Sequence, residues 1–207
     1  IEKFLKGQSE SWEPLEKNWD FKRDIYFELE KRVQLEMQKD RPEENNTLLL
    51  LGGGGLGKSI MLQRLAYETY KQGYPVIILN SYQTNFDRKL IAKFCDDVNK
   101  GLDPAKEKHK ALIIVDNAEV NIDNLRNIRI FLKNRSVRAL ILGAARPNEW
   151  EHSKTQWGLS SVVRDEDIFI IPQEMRKKEI SRLVEHLGNL LENDEILNDL
   201  DYWINKA

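Results

Sequence analysis

The stretch Leu48-Leu49-Leu50-Leu51-Gly52-Gly53-Gly54-Gly55-Leu56-Gly57-Lys58-Ser59 leaves this chain few ways to fold. A short run that is apolar throughout reads as a parallel strand covered on both faces. The residues after it match G-x-x-x-x-G-K-[ST], and beyond them Met61, Leu62, Leu65, Ala66 and Thr69 recur at the period of a helix that Gly73 closes. Glycines lack Cβ, so the backbone can turn through positive φ and aim successive N–H groups at one point, where the positive end of the next helix dipole also acts. In such a nest Lys58 can reach terminal phosphate oxygens as a mobile charge, and the Ser59 hydroxyl is placed to ligate Mg²⁺. A flexible Gly-rich turn with a chance Lys-Ser is the competing reading, and the strand before and helix after argue against it.

The rest of the chain alternates strands and helices. Further strands are predicted at Val76–Leu79, Ala111–Val115, Arg138–Leu142 and Asp167–Ile171. Helices are predicted over 24–39 and 121–134, and another opens at a Thr84/Asp87 capping box with Phe86, Leu90, Ile91, Phe94 and Val98 inward. A later helix starts at Pro172, turns Ile180, Leu183, Val184 and Leu187 inward and stops at Gly188, and a last one covers 194–205. This alternation predicts an α/β fold, with a parallel sheet, helices on both faces and the ligand at the strands' carboxyl ends. The expected organisation is a helical lead-in and linker over 1–46, a core over 47–171 and the start of a helical lid over 172–207.

Two more side chains join the glycine-rich loop. The third strand delivers Asp116 at its end, which alone is as often a turn or cap as a metal ligand, but one strand–helix unit after the loop it offers a carboxylate opposite Ser59. The fourth strand leads into Gly143-Ala144-Ala145-Arg146-Pro147, where Arg146 either approaches a bound γ-phosphate or is a surface arginine before a proline turn. A complete strand–helix unit separates the loop strand from the Asp116 strand. The Arg146 strand could fit between them in space, an arrangement that resembles the P-loop NTPase branch with an additional central strand between the Walker A and Walker B strands.

A formal net charge of −2 and a pI near 6.0 give no overall footprint for nucleic acid. Arg126, Arg129 and Lys133, extended by Arg135 and Arg138, form a local basic stripe that is either a solvated face or a surface for a partner. No run of eighteen apolar residues is present, so no membrane span is expected. The single Cys95 excludes a disulfide framework and fits a reducing, cytoplasmic setting, and His109, His152 and His186 show no metal-ligand spacing. A chain that begins at Ile1 and stops in mid-helix reads as a piece of a longer protein.

Gly52–Ser59, the strand Ile113-Ile114-Val115-Asp116 and the strand Leu142-Gly143-Ala144-Ala145-Arg146 together resemble the nucleotide-binding domain of STAND NTPases, the signal-transduction ATPases that include NACHT-type proteins. The resemblance implies a P-loop NTPase core with a five-stranded parallel sheet, ATP and Mg²⁺ as cofactors, and a helical subdomain that closes over the nucleotide. In that family an arginine in the place of Arg146 senses the γ-phosphate, and a Gly-Arg-Glu-like motif packs by the adenine. Phe21-Lys22-Arg23-Asp24 resembles that motif without its glycine. The implied nucleotide contacts are Gly52, Gly53, Gly54, Gly55, Leu56, Gly57, Lys58, Ser59 and Ile60, with Arg23 and Pro172. Ser59 and Asp116 are the implied metal ligands, and Lys58, Asp116, Glu119 and Arg146 the catalytic set. Many P-loop ATPases carry Glu directly after the third-strand Asp; here Asn117 stands there, which moves the water-positioning role to Glu119 and implies slow hydrolysis.

Slow turnover suits a switch that ATP holds in one conformation. The implied function is a module of a larger multidomain sensor that forms homo-oligomers when activated, with effector and sensor domains outside this chain. Arg146-Pro147-Asn148-Glu149-Trp150 is similar to prokaryotic members, many of them defence proteins, antiviral ones included. The alternative is an AAA+-like, DNA-associated ATPase that uses the basic stripe. A small-molecule kinase would need an acceptor pocket and an arginine-rich lid, and neither is identifiable. A GTPase would need Asn-Lys-x-Asp, which Asn99-Lys100-Gly101-Leu102-Asp103 does not supply, and a domain that no longer binds nucleotide is the non-enzymatic reading.

Overall fold

In the computed structural model, which describes residues 12–39, 47–79, 87–100, 110–120, 122–157 and 163–190, the apolar runs form strands β1 Thr47–Leu51, β2 Val76–Leu79, β3 Ala111–Val115, β4 Ala139–Ala145 and β5 Ile168–Ile170. The helices are α1 Glu13–Glu16, α2 Asp24–Met37, α3 Lys58–Lys71, α4 Arg88–Lys100, α5 Ile122–Asn134, α6 Pro147–Trp157 and α7 Lys177–Leu190. The five strands make one parallel sheet in the order β2-β3-β4-β1-β5. β4 thus lies between the loop strand β1 and the Asp116 strand β3, as the spacing of motifs allowed and the family resemblance implied. Leu49 pairs with Gly143, and Ile113 with Ile141.

Successive side chains of a strand point to opposite faces, and β1 and β3 are buried throughout, so each feeds two cores. Leu48, Leu50, Leu112, Ile114, Leu140 and Leu142 meet Tyr26, Leu29 and Val33 of α2 and Met61, Leu62 and Leu65 of α3. Leu49, Leu51, Ile113, Val115 and Ile141 meet Ile91 and Cys95 of α4, Leu125 and Ile128 of α5, and Trp150 of α6. Each buried Leu or Ile contributes about 1.5–3 kcal/mol, which is why a sheet with both faces covered tolerates so many consecutive apolar residues. Burial also pushes the Cys95 thiol up to about 12, which keeps it neutral. Among the described residues no helix is long and apolar enough to cross a membrane.

Several boundaries depart from the sequence reading. β4 runs on through Gly143-Ala144-Ala145, because Leu50 and Leu51 pair with Ala144 and Ala145 and the Ala118 N–H donates to the Ala144 carbonyl at 2.7 Å. Small residues are needed there: a Cβ on Gly143 would come within 3.1 Å of the Ala118 Cβ. α1 and α6 are additional helices. Pro147 is the first residue of α6, where a missing N–H costs nothing. Pro172 does not begin a helix, since the Ile171 N–H continues the sheet edge to the Leu51 carbonyl at 2.7 Å. α7 starts five residues later, carries Gly188 within it, and leaves Ile180 and Val184 exposed. The helix expected over 194–205 lies outside the described residues.

α4 is also capped otherwise than expected. Thr84 and Phe86 lie outside the described residues, and the Asp87 carboxylate itself accepts the Lys89 and Leu90 N–H groups at 2.9 and 3.1 Å. Asp87→Ala should therefore lower stability by about 1 kcal/mol, read as a lower urea midpoint at unchanged slope.

The chain divides into two compact units, Ile25–Gln173 with the sheet, and Ile1–Asp24 with Glu174–Ala207. In the second, Arg23 Nε donates to the Glu179 carboxylate at 3.1 Å and the Asp24 N–H to the same oxygen at 3.0 Å. Burial opposes ionisation of Glu179, yet the Arg23 and Asp24 bonds hold its carboxyl below the usual range. Arg182 pairs with Asp24 and lies 5.7 Å from the centre of the Phe21 ring.

Candidate nucleotide site

β1, β3 and β4 end side by side, so the three chain segments that the motifs single out share one edge of the sheet. The loop leaves β1 with the Gly52 N–H on the Ala145 carbonyl at 3.2 Å. It turns through positive φ at Gly55 (76°) and at Gly57 (82°), the N-cap of α3. A side chain at either position would be strained. Gly52 is tight for another reason: a Cβ there would lie 3.1 Å from the Ile171 side chain. Gly57 offers no side-chain cap, so the first-turn N–H groups of α3 face the loop as an anion site.

Lys58 is 9% exposed, and its ammonium donates to the Gly52 and Gly53 carbonyls at 2.9 Å each. It is thus held at the loop by neutral oxygens, with its charge uncompensated by them. The Ser59 hydroxyl donates to the Asp116 carboxylate at 2.6 Å, so the two expected metal ligands meet. This donor set fits Mg²⁺, which takes one or two carboxylates and a hydroxyl and completes its shell with water and phosphate oxygens. Among the described residues no group of three or more His, Cys, Asp or Glu could hold a metal.

After Asp116 the chain turns at once. Asn117 sits at φ 49°, a left-handed conformation that Asn tolerates, and its N–H bonds the Asp116 carboxylate at 3.0 Å. The turn closes with the Val120 N–H on the Asn117 carbonyl, and Glu119 rather than residue 117 is the carboxyl tucked inward, 8% exposed. Burial is the main reason its pKa is pushed up to about 7; a hydrogen bond with Glu149 adds to the rise, and the backbone N–H groups of Glu119 and Arg146 oppose it. Glu119 Oε2 has no hydrogen-bond partner among the described residues.

Arg146 follows β4 directly, is 58% exposed at its side chain and donates to Glu149 at 2.9 Å. Sequence reasoning missed Glu149, whose place follows from a signal that was present: Pro147 opens a helix, and a glutamate in its first turn lies one turn from Arg146. The structure therefore brings Gly52–Ile60, Asp116, Glu119 and Arg146 into one compact unit. Arg23 belongs to the other unit, engaged by Glu179, and Pro172 is exposed beside Ile171. Of the basic stripe, Arg126, Lys133 and Arg135 are exposed, the last 4.6 Å from the centre of the Phe131 ring, while Arg129 is half-buried, with burial holding its guanidinium below the usual range.

Comparison with known proteins agrees with this geometry. Among solved structures the chain is similar to a DNA replication initiation factor, at 17% identity and TM-score 0.51, over 93% of this chain and 59% of that one. It is similar to the Aeropyrum pernix ORC2 protein in its ADP form (14%, TM-score 0.51, 79% and 52%) and to C. elegans PCH-2 (14%, TM-score 0.50, 77% and 45%). At such identities the likeness shows the fold alone, an α/β fold with helices flanking a parallel sheet, and the chain spans about half the length of these proteins. No curated protein matches. The protein-family model described as Novel STAND NTPase 5 matches residues 2–157. That span takes in the glycine-rich loop, Asp116, Glu119 and Arg146, and the chain belongs to the novel STAND NTPase 5 family.

Proposed function

We propose that this NTPase domain is an ATP–Mg²⁺-binding, slowly hydrolysing switch that drives conformational change or homo-oligomerisation of a larger multidomain sensor. The observation that carries the reading is the 2.6 Å Ser59–Asp116 contact beside the loop that holds the Lys58 ammonium. Hydroxyl, carboxylate, ammonium and a row of backbone N–H groups are the set that a metal-chelated triphosphate requires. Ser59 and Asp116 would hold the ion, whose contribution when bound is to neutralise charge on the β- and γ-phosphate oxygens. Lys58 would grip the same phosphates, Arg146 would contact the γ-phosphate, and Glu119 would orient the attacking water. A carboxyl with its pKa near 7 is only partly ionised at neutral pH, which supports slow turnover.

Loss of the γ-phosphate removes the partner of Arg146, and the energy difference between the two states is the switch. A cytoplasmic setting and a place in prokaryotic, including antiviral, defence belong to the same proposal. Calorimetric titration tests the reading directly. ATP should bind more tightly with Mg²⁺ than with EDTA, and light scattering should find larger assemblies with a non-hydrolysable ATP analogue than with ADP. No heat of binding with millimolar-range ATP or GTP would overturn it.

A further inference from the structure

Arg146 and Glu119 come from different strands, yet one side chain touches both. The Trp150 N–H bonds the Arg146 carbonyl at 2.9 Å, so Arg146 starts α6 and Glu149 falls in its first turn. From there Glu149 Oε1 takes the Arg146 guanidinium at 2.9 Å, and its carboxylate accepts a hydrogen bond from Glu119, which holds it below the usual carboxylate range. Glu119, with its unpartnered and buried Oε2, lines a cavity of about 390 Å³ together with Glu149, Asn148, His152 and Ser153.

The geometry points to Glu149 as a positioning residue that competes with the γ-phosphate for Arg146 and so sets how sharply the protein distinguishes nucleoside triphosphate from diphosphate. This rests on the reading of the site as an ATP switch and adds to it a residue that the family motifs do not name. The 2.9 Å contact from Arg146 Nη1 to Glu149 neutralises part of the charge and occupies one donor of the fork that a phosphate would take, so the two anions compete for the guanidinium. Both side chains are about half exposed, at 58% and 46%, so the pair is weak enough to be exchanged and strong enough to be felt as a few-fold effect. A triphosphate supplies the competing anion at the place Arg146 can reach, and a diphosphate does not. Once Arg146 leaves, the Glu149 carboxylate keeps the Glu119 carboxyl as its hydrogen-bond partner, with the Lys58 charge acting on it and His152 and Ser153 lining the same cavity, and the two acids share one proton. Recognition of the last phosphate and readiness of the water-positioning carboxyl are thereby linked.

The test is a double-mutant cycle on the whole chain, with Kd measured by calorimetry for a non-hydrolysable ATP analogue and for ADP, both with Mg²⁺. Glu149→Gln should tighten the ATP analogue about two- to five-fold and leave ADP unchanged. In an Arg146→Ala background the same substitution should change neither. A merely structural Glu149 would move both nucleotides together. An unaltered ratio in Glu149→Gln, tighter ADP, or tightening that persists without Arg146 overturns the inference while leaving the switch reading intact. Wild-type protein that binds neither nucleotide overturns both.

Discussion

Glu119→Gln should slow ATP hydrolysis about 10²- to 10⁴-fold, the usual contribution of a positioned acid–base group, while ATP affinity changes by less than about two-fold. The substitution keeps the size of the side chain in its buried place behind the Asn117 turn and removes its ability to accept a proton. Binding survives because the groups assigned to the phosphates are Lys58, the loop N–H groups and Arg146. A second signature goes with the first. Burial holds the Glu119 pKa at about 7, and the reaction uses the ionised carboxylate, so the wild-type rate should climb as pH rises through 7 and level off above it. In Glu119→Gln the residual rate should lack that limb. Single-turnover hydrolysis over a pH series reads both, and turnover that is unchanged in the variant would remove Glu119 from the role.

Lys58→Ala should weaken ATP binding about 10- to 100-fold, the value of a charge-assisted bond to phosphate. ADP should weaken too, because the ammonium is assigned to the β-phosphate as well as the γ. The fold should persist: among the described residues the Lys58 ammonium bonds the neutral Gly52 and Gly53 carbonyls, and its removal relieves a desolvated charge. Lys58→Arg should not restore affinity, since a planar guanidinium does not replace a compact ammonium among loop carbonyls. Calorimetry with both nucleotides, alongside a thermal melt of each variant, separates lost binding from lost folding. Undiminished ATP affinity in Lys58→Ala would count against the phosphate assignment itself.

Much of the fold was legible because it is written in near neighbours. β1, β2 and β3 coincide with the apolar runs read from the sequence, and α5 with its periodic segment, since burial at a fixed spacing needs only local order. That β1 and β3 leave room for another strand followed from the distance along the chain between the loop and Asp116, and that β4 fills it was implied by the family resemblance. Where the reading went astray, a distant segment had intervened. The fourth strand was expected to end at Leu142 because small residues favour turns, but it runs on through Gly143-Ala144-Ala145, where Ala118 bonds the Ala144 carbonyl and its Cβ leaves no room for a side chain at Gly143. Pro172 looked like a helix start because nothing in the sequence shows that Ile171 is still bonded to Leu51.

The sequence by itself determined that a strand, a glycine-rich loop and a helix would build an anion nest, with a lysine and a serine at fixed offsets, because those offsets are short and the motif tolerates little else. It also determined which aspartate would face that serine. Only the tertiary structure decided that Glu149, one turn from Arg146, also meets Glu119, and that Arg23 is engaged by Glu179. The Glu119–Glu149 and Arg23–Glu179 contacts join residues far apart in the chain, and no local pattern encodes them.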